Sequence, residues 1–238
     1  MTCIPGGPFL MGSLPGQGFP ADEQPQHTVN LSPYFIDTTE VTVSAYAACV
    51  NANECAPPTS ESANWGVPRR MNHPVDGVFY SDAQAFCAWA GKQLPTEAQW
   101  ERAARGTRGG TFPWGEAPLS CDYAHIYEGD DVGCGTGMTA EVGSYPLGNS
   151  DEGVADMAGN VTEWVSDWYS ASYYSSSPEQ DPTGPKVGTL RINKGGNAQL
   201  GPANLSSDQV RAAFRPTRPG DEATTHLGFR CVRPINRR

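Results

Sequence analysis

Where this chain is allowed to turn is what most constrains its fold. Beyond about residue 107, Gly, Pro, Asp and Trp interrupt the apolar runs and leave short pieces such as "TFPWGE", "EVGSYP", "VTEWVSDWY", "LRINKGG", "VRAAFRP" and "LGFRCVR". Glycine reaches backbone conformations closed to other residues and proline removes a backbone donor, so long helices are excluded there. Gly and Pro number 27 and 21, about a fifth of the 238 residues, and are spread along the whole chain without run or period. That spread argues for a loop-rich globular fold and against a collagen-like or disordered chain. With no internal repeat, low-complexity linker or charge run to mark a boundary, residues 1–238 read as a single domain.

The first half carries the regular elements. "HTVNLSPYFI" (27–36) alternates apolar and polar residues as a half-buried strand does. "TEVTVSAYAACVN" reads as a short helix capped by Thr42. In "YSDAQAFCAWAGK", Ser81 and Gln84 form a capping box, Ala85, Phe86 and Trp89 supply the apolar face, and Gly91 suits the left-handed stop. "LPTEAQWERAARG" repeats the device with Thr96, Gln99 and Gly106. The strands near 29–36 and 227–233 are placed to pair and bring the two ends of the chain together.

A formal net charge of −10 disfavours nucleic acid and anionic membrane as partners, since both require a basic face. No apolar run approaches the roughly 18 residues that span a bilayer. "MTCIPGGPFLMGS" lacks the charged and apolar regions of a signal peptide, which leaves a cytosolic chain or a mature domain whose leader has been removed. The seven cysteines favour the second: Cys49 and Cys55 flank one polar loop, Cys121 and Cys134 another, and such staples persist only in an oxidising compartment. Reduced, buried cysteines are the alternative. Secretion, a periplasm or a cell surface is therefore expected; Cys3 has no evident partner.

Several constellations could carry chemistry. Asp156, Asn160 and Glu163 surround Gly159 in "DEGVADMAGNVTEWVSDWY", offering the carboxylate and carbonyl oxygens that hard cations take from a turning backbone. The same side chains also suit turn and capping roles. Arg211, Arg215, Arg218 and Arg230 could gather an anion or could tie carboxylates and carbonyls together. No Gly-x-Ser-x-Gly elbow and no His-x-Asp/Glu or His-x-x-x-His pair occurs, so neither a catalytic triad nor a non-haem iron site is supported.

Taken in order, "IPGGPFLMGS", "HPVDGVFYSDAQAFCAWAGKQLPTEAQWERAARG", "FPWGE", "NSDEGVADMAGNVTEWVSDWY", "INKGGNA", "VRAAFRP" and "LGFRCV" resemble the formylglycine-generating enzyme (sulfatase-modifying factor) family over nearly the whole chain. The resemblance implies an α+β fold, a variant of the C-type-lectin-like fold with few short helices and strands and much irregular chain. It implies structural calcium held by side-chain oxygens of Asp156 and Glu163 and backbone carbonyls of Gly159 and Val161. It also implies a disulfide between Cys87 and Cys231. The family's other calcium site is not carried over, because His125 replaces an expected amide and the 121–134 loop is closed by cysteines. Copper-using members oxidise a substrate cysteine with two cysteines placed shortly after the Gly-Gly. Here Leu200 and Leu205 fall at about those places, and leucine cannot hold Cu(I) as a thiolate pair does. The histidine set of the iron-dependent, sulfoxide-forming branch is absent as well.

The resulting expectation is a secreted, calcium-stabilised, non-canonical family member that binds a protein, a peptide or a small polar ligand. Its candidate cleft is Gly195, Gly196, Asn197, Gln199, Arg211 and Arg215, on the surface spanned by residues 193–226. Copper is not expected. A divergent metal-dependent oxidase or oxygenase, and formylglycine generation on sulfatases by a cysteine-independent route, are the alternatives, so enzymatic activity stays open.

Overall fold

The chain's computed structural model describes residues 1–16, 19–127, 132–198 and 207–235. Three short α-helices and nine short strands are embedded in turns. The strands are β1 (Thr2–Ile4), β2 (Gly7–Met11), β3 (His27–Leu31), β4 (Tyr34–Ile36), β5 (Thr162–Trp168), β6 (Arg191–Lys194), β7 (Thr217–Arg218), β8 (Leu227–Phe229) and β9 (Val232–Pro234). The helices are α1 (Val43–Asn51), α2 (Tyr80–Trp89) and α3 (Glu97–Arg105). None is long and apolar enough to cross a membrane.

The chain ends do meet: β4 pairs antiparallel with both β1 and β9, with Ile36 opposite Val232. Each expected strand is nevertheless split. Ser32-Pro33 breaks 27–36, because proline has no N–H to continue a ladder; β3 then pairs with β2. Arg230 and Cys231 break the final stretch, and β8 joins a different sheet of order β7-β6-β5-β8, where it runs parallel to β5.

Thr42 caps α1 by accepting the Ala45 N–H at 3.1 Å. At α3 the full box is present: Thr96 Oγ1 accepts the Gln99 N–H at 3.1 Å, and Gln99 Oε1 accepts the Thr96 N–H at 3.0 Å. α2 differs from expectation. It starts two residues earlier, capped at Phe79 in place of Ser81, so the third helical residue is Asp82, whose carboxylate accepts the Phe79 N–H at 3.1 Å. Its buried face is Tyr80, Ala83, Phe86 and Cys87, while Ala85 and Trp89 are exposed. Tyr80 decides this register by packing edge-on against Trp164.

Among the described residues three apolar clusters follow, the smallest around Phe112, Ile126 and Val210. Trp100, Ala103 and Ala104 of α3 pack with Ile4, Phe9, Val29, Ile36 and Ile192. Tyr46, Phe86, Trp164 and Phe229 form the second. Three disulfides join Cys49 to Cys55, Cys121 to Cys134 and Cys87 to Cys231, leaving Cys3 exposed and unpaired. The third closes 144 residues and ties α2 to the link between β8 and β9. In the chain-entropy account, long loops gain most from closure. Replacing Cys87 and Cys231 together by serine is expected to lower unfolding stability by about 3–5 kcal/mol in urea titrations, far more than removing Cys49–Cys55.

Candidate functional site

The segment from Asp156 to Glu163 folds as a tight turn running into β5. Asp156, Gly159 and Asn160 adopt positive φ of 57°, 82° and 56°. At Gly159 the requirement is steric as well, since a Cβ would lie 2.4 Å from the His125 carbonyl oxygen. Gly159 N–H donates to Gly195 O at 2.8 Å, Asn160 N–H to His125 O at 2.7 Å, and Ala198 N–H to Asn160 O at 3.1 Å. The turn is thereby clamped between residue 125 and the Gly-Gly segment. His125 is itself fixed, with Nδ1 2.8 Å from the Tyr145 hydroxyl and Nε2 2.6 Å from Met138 O. Burial lowers its pKa, so the neutral ring accepts from Tyr145 and donates to Met138.

Glu163 is fully buried and heavily engaged. Arg230 grips it with two parallel bonds, Nε to Oε2 and Nη2 to Oε1, both at 2.7 Å. Trp100 Nε1 adds a third to Oε2 at 3.1 Å. Oε2 thus spends both lone pairs while Oε1 keeps one. Asp156 Oδ2 accepts the Gly143 N–H at 2.6 Å. Among the described residues, no backbone N–H bonds the carbonyls of Gly159 or Val161.

A further carboxylate, not singled out from the sequence, stands beside this group. Glu40 is 2 % exposed, and neither of its carboxylate oxygens has a hydrogen-bond partner. The segment carrying it is pinned on both sides: Ala155 N–H donates to Thr38 O at 2.8 Å, and Val41 N–H to Phe229 O at 2.9 Å. Arg230 reaches the carbonyls of Asp37 and Thr38 as well. Burial, and next the Asp156 charge, hold the Glu40 carboxyl well above its ordinary pKa. Ionised, the three carboxylates Glu40, Asp156 and Glu163 face one guanidinium. Burial favours the protonated form of Glu40, so the surplus of two negative charges holds only with all three ionised. Among the described residues no group of three or more His, Cys, Asp or Glu side chains comes together closely enough to enclose a metal. A hard cation here draws on carbonyls too, as oxygen-donor sites commonly do.

The expected cleft residues are not gathered on one open surface. Gly195 packs against Trp100, and a Cβ on Gly196 would lie 2.6 Å from a Val210 methyl. Asn197 is 2 % exposed and donates to Thr162 Oγ1 at 3.0 Å. Arg211 is held by both oxygens of Glu23, at 2.8 and 2.7 Å, and Arg215 by both of Glu97, at 2.7 and 3.0 Å. These guanidiniums tie carboxylates together; no open anion site forms around them. A cavity of about 280 Å³ beside Arg211 is lined by Ser13, Phe19, Arg105 and Glu116 and by none of Gly195, Gly196, Asn197 and Arg215. Gln199, Leu200 and Leu205 lie outside the described residues. The Gly-Gly pair serves close packing of the turn against Trp100 and Val210.

His226, whose carbonyl accepts the Thr162 N–H at 2.8 Å, is pushed down to about 4 by burial and then by Arg218. The unfolded chain binds this proton near pH 6.5, so stability is complete above that and falls as pH drops toward about 4. His226→Gln is expected to flatten the pH 6.5-to-4 limb of a stability profile by up to about 3 kcal/mol. Arg230→Met leaves Glu163 buried and unpaired; a loss of about 3–5 kcal/mol in denaturant midpoint analysis is expected.

Comparison with known proteins places the arrangement. The sulfatase-modifying factor enzyme 1-like domain family matches residues 1–235. The formylglycine-generating enzyme of Streptomyces coelicolor is 36 % identical over 96 % of this chain and 87 % of its own length. PvdO from Pseudomonas aeruginosa superposes with a TM-score of 0.79 at 26 % identity, over 98 % of this chain and 93 % of that one. Treponema denticola variable protein 1 is similar in fold at a TM-score of 0.78 and 23 % identity, covering 99 % and 95 % of the two chains.

Proposed function

The chain belongs to the family of sulfatase-modifying factor enzyme 1-like domains, with the α+β, C-type-lectin-like fold of formylglycine-generating enzymes, and on that premise we propose that it is a calcium-stabilised binding member that does not carry out copper-dependent cysteine oxidation. One observation carries this reading: no thiol pair is available. Six of the seven cysteines are locked in disulfides, and the seventh, Cys3, lies in β1. No cysteine occurs in "GGNAQLGPANL", and soft Cu(I) is held by thiolates. The three disulfides support an oxidising compartment, such as secretion would supply.

The donor set fits calcium in kind. Asp156 Oδ1, the Gly159 and Val161 carbonyls and the remaining lone pair of Glu163 Oε1 are the oxygens that would hold it, in a site with surplus negative charge. Bound there, calcium would supply charge and cross-linking, and no redox chemistry. The residues around it keep the turn in place, so exposed loops are presented from a rigid base. Recognition of a protein, a peptide or a small polar ligand by such loops is the function this arrangement suits best.

The test combines copper(I) reconstitution with a peptide carrying Cys-x-Pro-x-Arg and mass spectrometry of the product. No aldehyde is expected, and metal analysis of the purified protein is expected to find calcium without stoichiometric copper. Aldehyde formed in proportion to bound copper would overturn the proposal.

A further inference from the structure

We infer that Glu40 belongs to the cation site of the Asp156–Glu163 turn, supplying from the opposite side the negative charge that sets the site's affinity for a divalent ion. This rests on the calcium reading above and extends it to a residue far from the turn in sequence.

Buried polar groups in folded proteins are almost always hydrogen-bonded, and an unpartnered buried carboxylate costs several kcal/mol. Glu40 leaves both oxygens orphaned at 2 % exposure. A chain selected only for stability would gain from an apolar residue there. The hydrogen bonds on either side show what Glu40 faces. Thr38 is bonded to Ala155, next to Asp156, and Val41 is bonded to Phe229, next to Arg230. Arg230 in turn bonds Asp37 O, Thr38 O, Asp156 O and both oxygens of Glu163. Glu40 is therefore carried by a segment bonded beside Asp156 and Arg230, and its charge couples to the guanidinium that Glu163 already neutralises.

Counted as carboxylates, Glu40, Asp156 and Glu163 carry two more negative charges than Arg230 offsets, and a divalent cation neutralises both where a monovalent one does not. Because the acidic side chains do not close into an all-carboxylate cage, Glu40 acts on the ion through its charge. The ion's inner contacts come from Asp156, the turn carbonyls and Glu163. Charge count is one of the main controls on calcium affinity in oxygen-donor sites.

The experiment is calorimetric calcium titration of the full chain, with thermal melts in calcium and in chelator, for wild type, Glu40→Gln, Glu40→Asp and Asp156→Ala. Glu40→Gln is expected to weaken calcium binding by about tenfold or more. Its melting temperature in chelator should be no lower than that of wild type, because the Glu40 carboxyl makes no hydrogen bond that glutamine would lose. Glu40→Asp keeps the charge and should keep most of the affinity, which guards against a misfolded glutamine variant. Asp156→Ala should abolish binding. If Glu40→Gln binds calcium as wild type does while Asp156→Ala does not, Glu40 has no part in the site and only this inference falls. If Glu40→Gln instead melts lower with and without calcium at unchanged affinity, its role is structural and the inference also falls. If wild type itself binds no calcium, the underlying reading falls with it.

Discussion

The two parallel bonds between Arg230 and Glu163 organise the middle of this molecule. Both side chains are fully buried, and desolvating each costs several kcal/mol, so the pair is sustained only by complete satisfaction of its donors and acceptors. That satisfaction comes from distant places. Glu163 opens β5, Arg230 follows β8, Trp100 arrives from α3, and the carbonyls of Asp37, Thr38 and Asp156 take the remaining guanidinium hydrogens. The charges are matched only once all these segments have docked together.

The same device recurs. Arg215 with Glu97, Arg211 with Glu23, and Glu101 with Arg105 and Lys194 are buried pairs or triads linking the helix α3, the early loops and the final third of the chain. A fold of short strands has few long ladders to set its register. Charged hydrogen bonds, which are directional and intolerant of a missing partner, specify loop positions that apolar contacts alone leave loose. The disulfide between Cys87 and Cys231 reinforces the same junction covalently, one residue from Arg230.

Within that frame the site is a question of which oxygens stay free. Three residues of the "DMAGN" turn take positive φ. The Gly-Gly segment closes its far side, and its glycines are needed for contact with Trp100 and Val210. The pattern of family motifs made the region recognisable, but the same motif residues serve different ends. Gly195 and Gly196 pack, Arg211 and Arg215 neutralise, and Glu40 keeps both side-chain oxygens without a hydrogen-bond partner.

Local signals were legible in the amino-acid sequence because they depend on neighbours along the chain. Thr96 and Gln99 announce a helix start; Gly91 and Gly106 announce its stops; cysteines flanking a short polar loop announce a staple. Even there, α2 shifted by two residues once Tyr80 found Trp164, since a buried aromatic contact outweighs a hydroxyl cap. What the sequence by itself determined was therefore the family, the short irregular elements and the missing thiols of the copper chemistry. Only the tertiary structure decided that Glu163 belongs to Arg230, that the glycine pair is packed shut and that Glu40 is stranded. A buried charge is defined by which remote segments surround it, and no local pattern along the chain encodes that company.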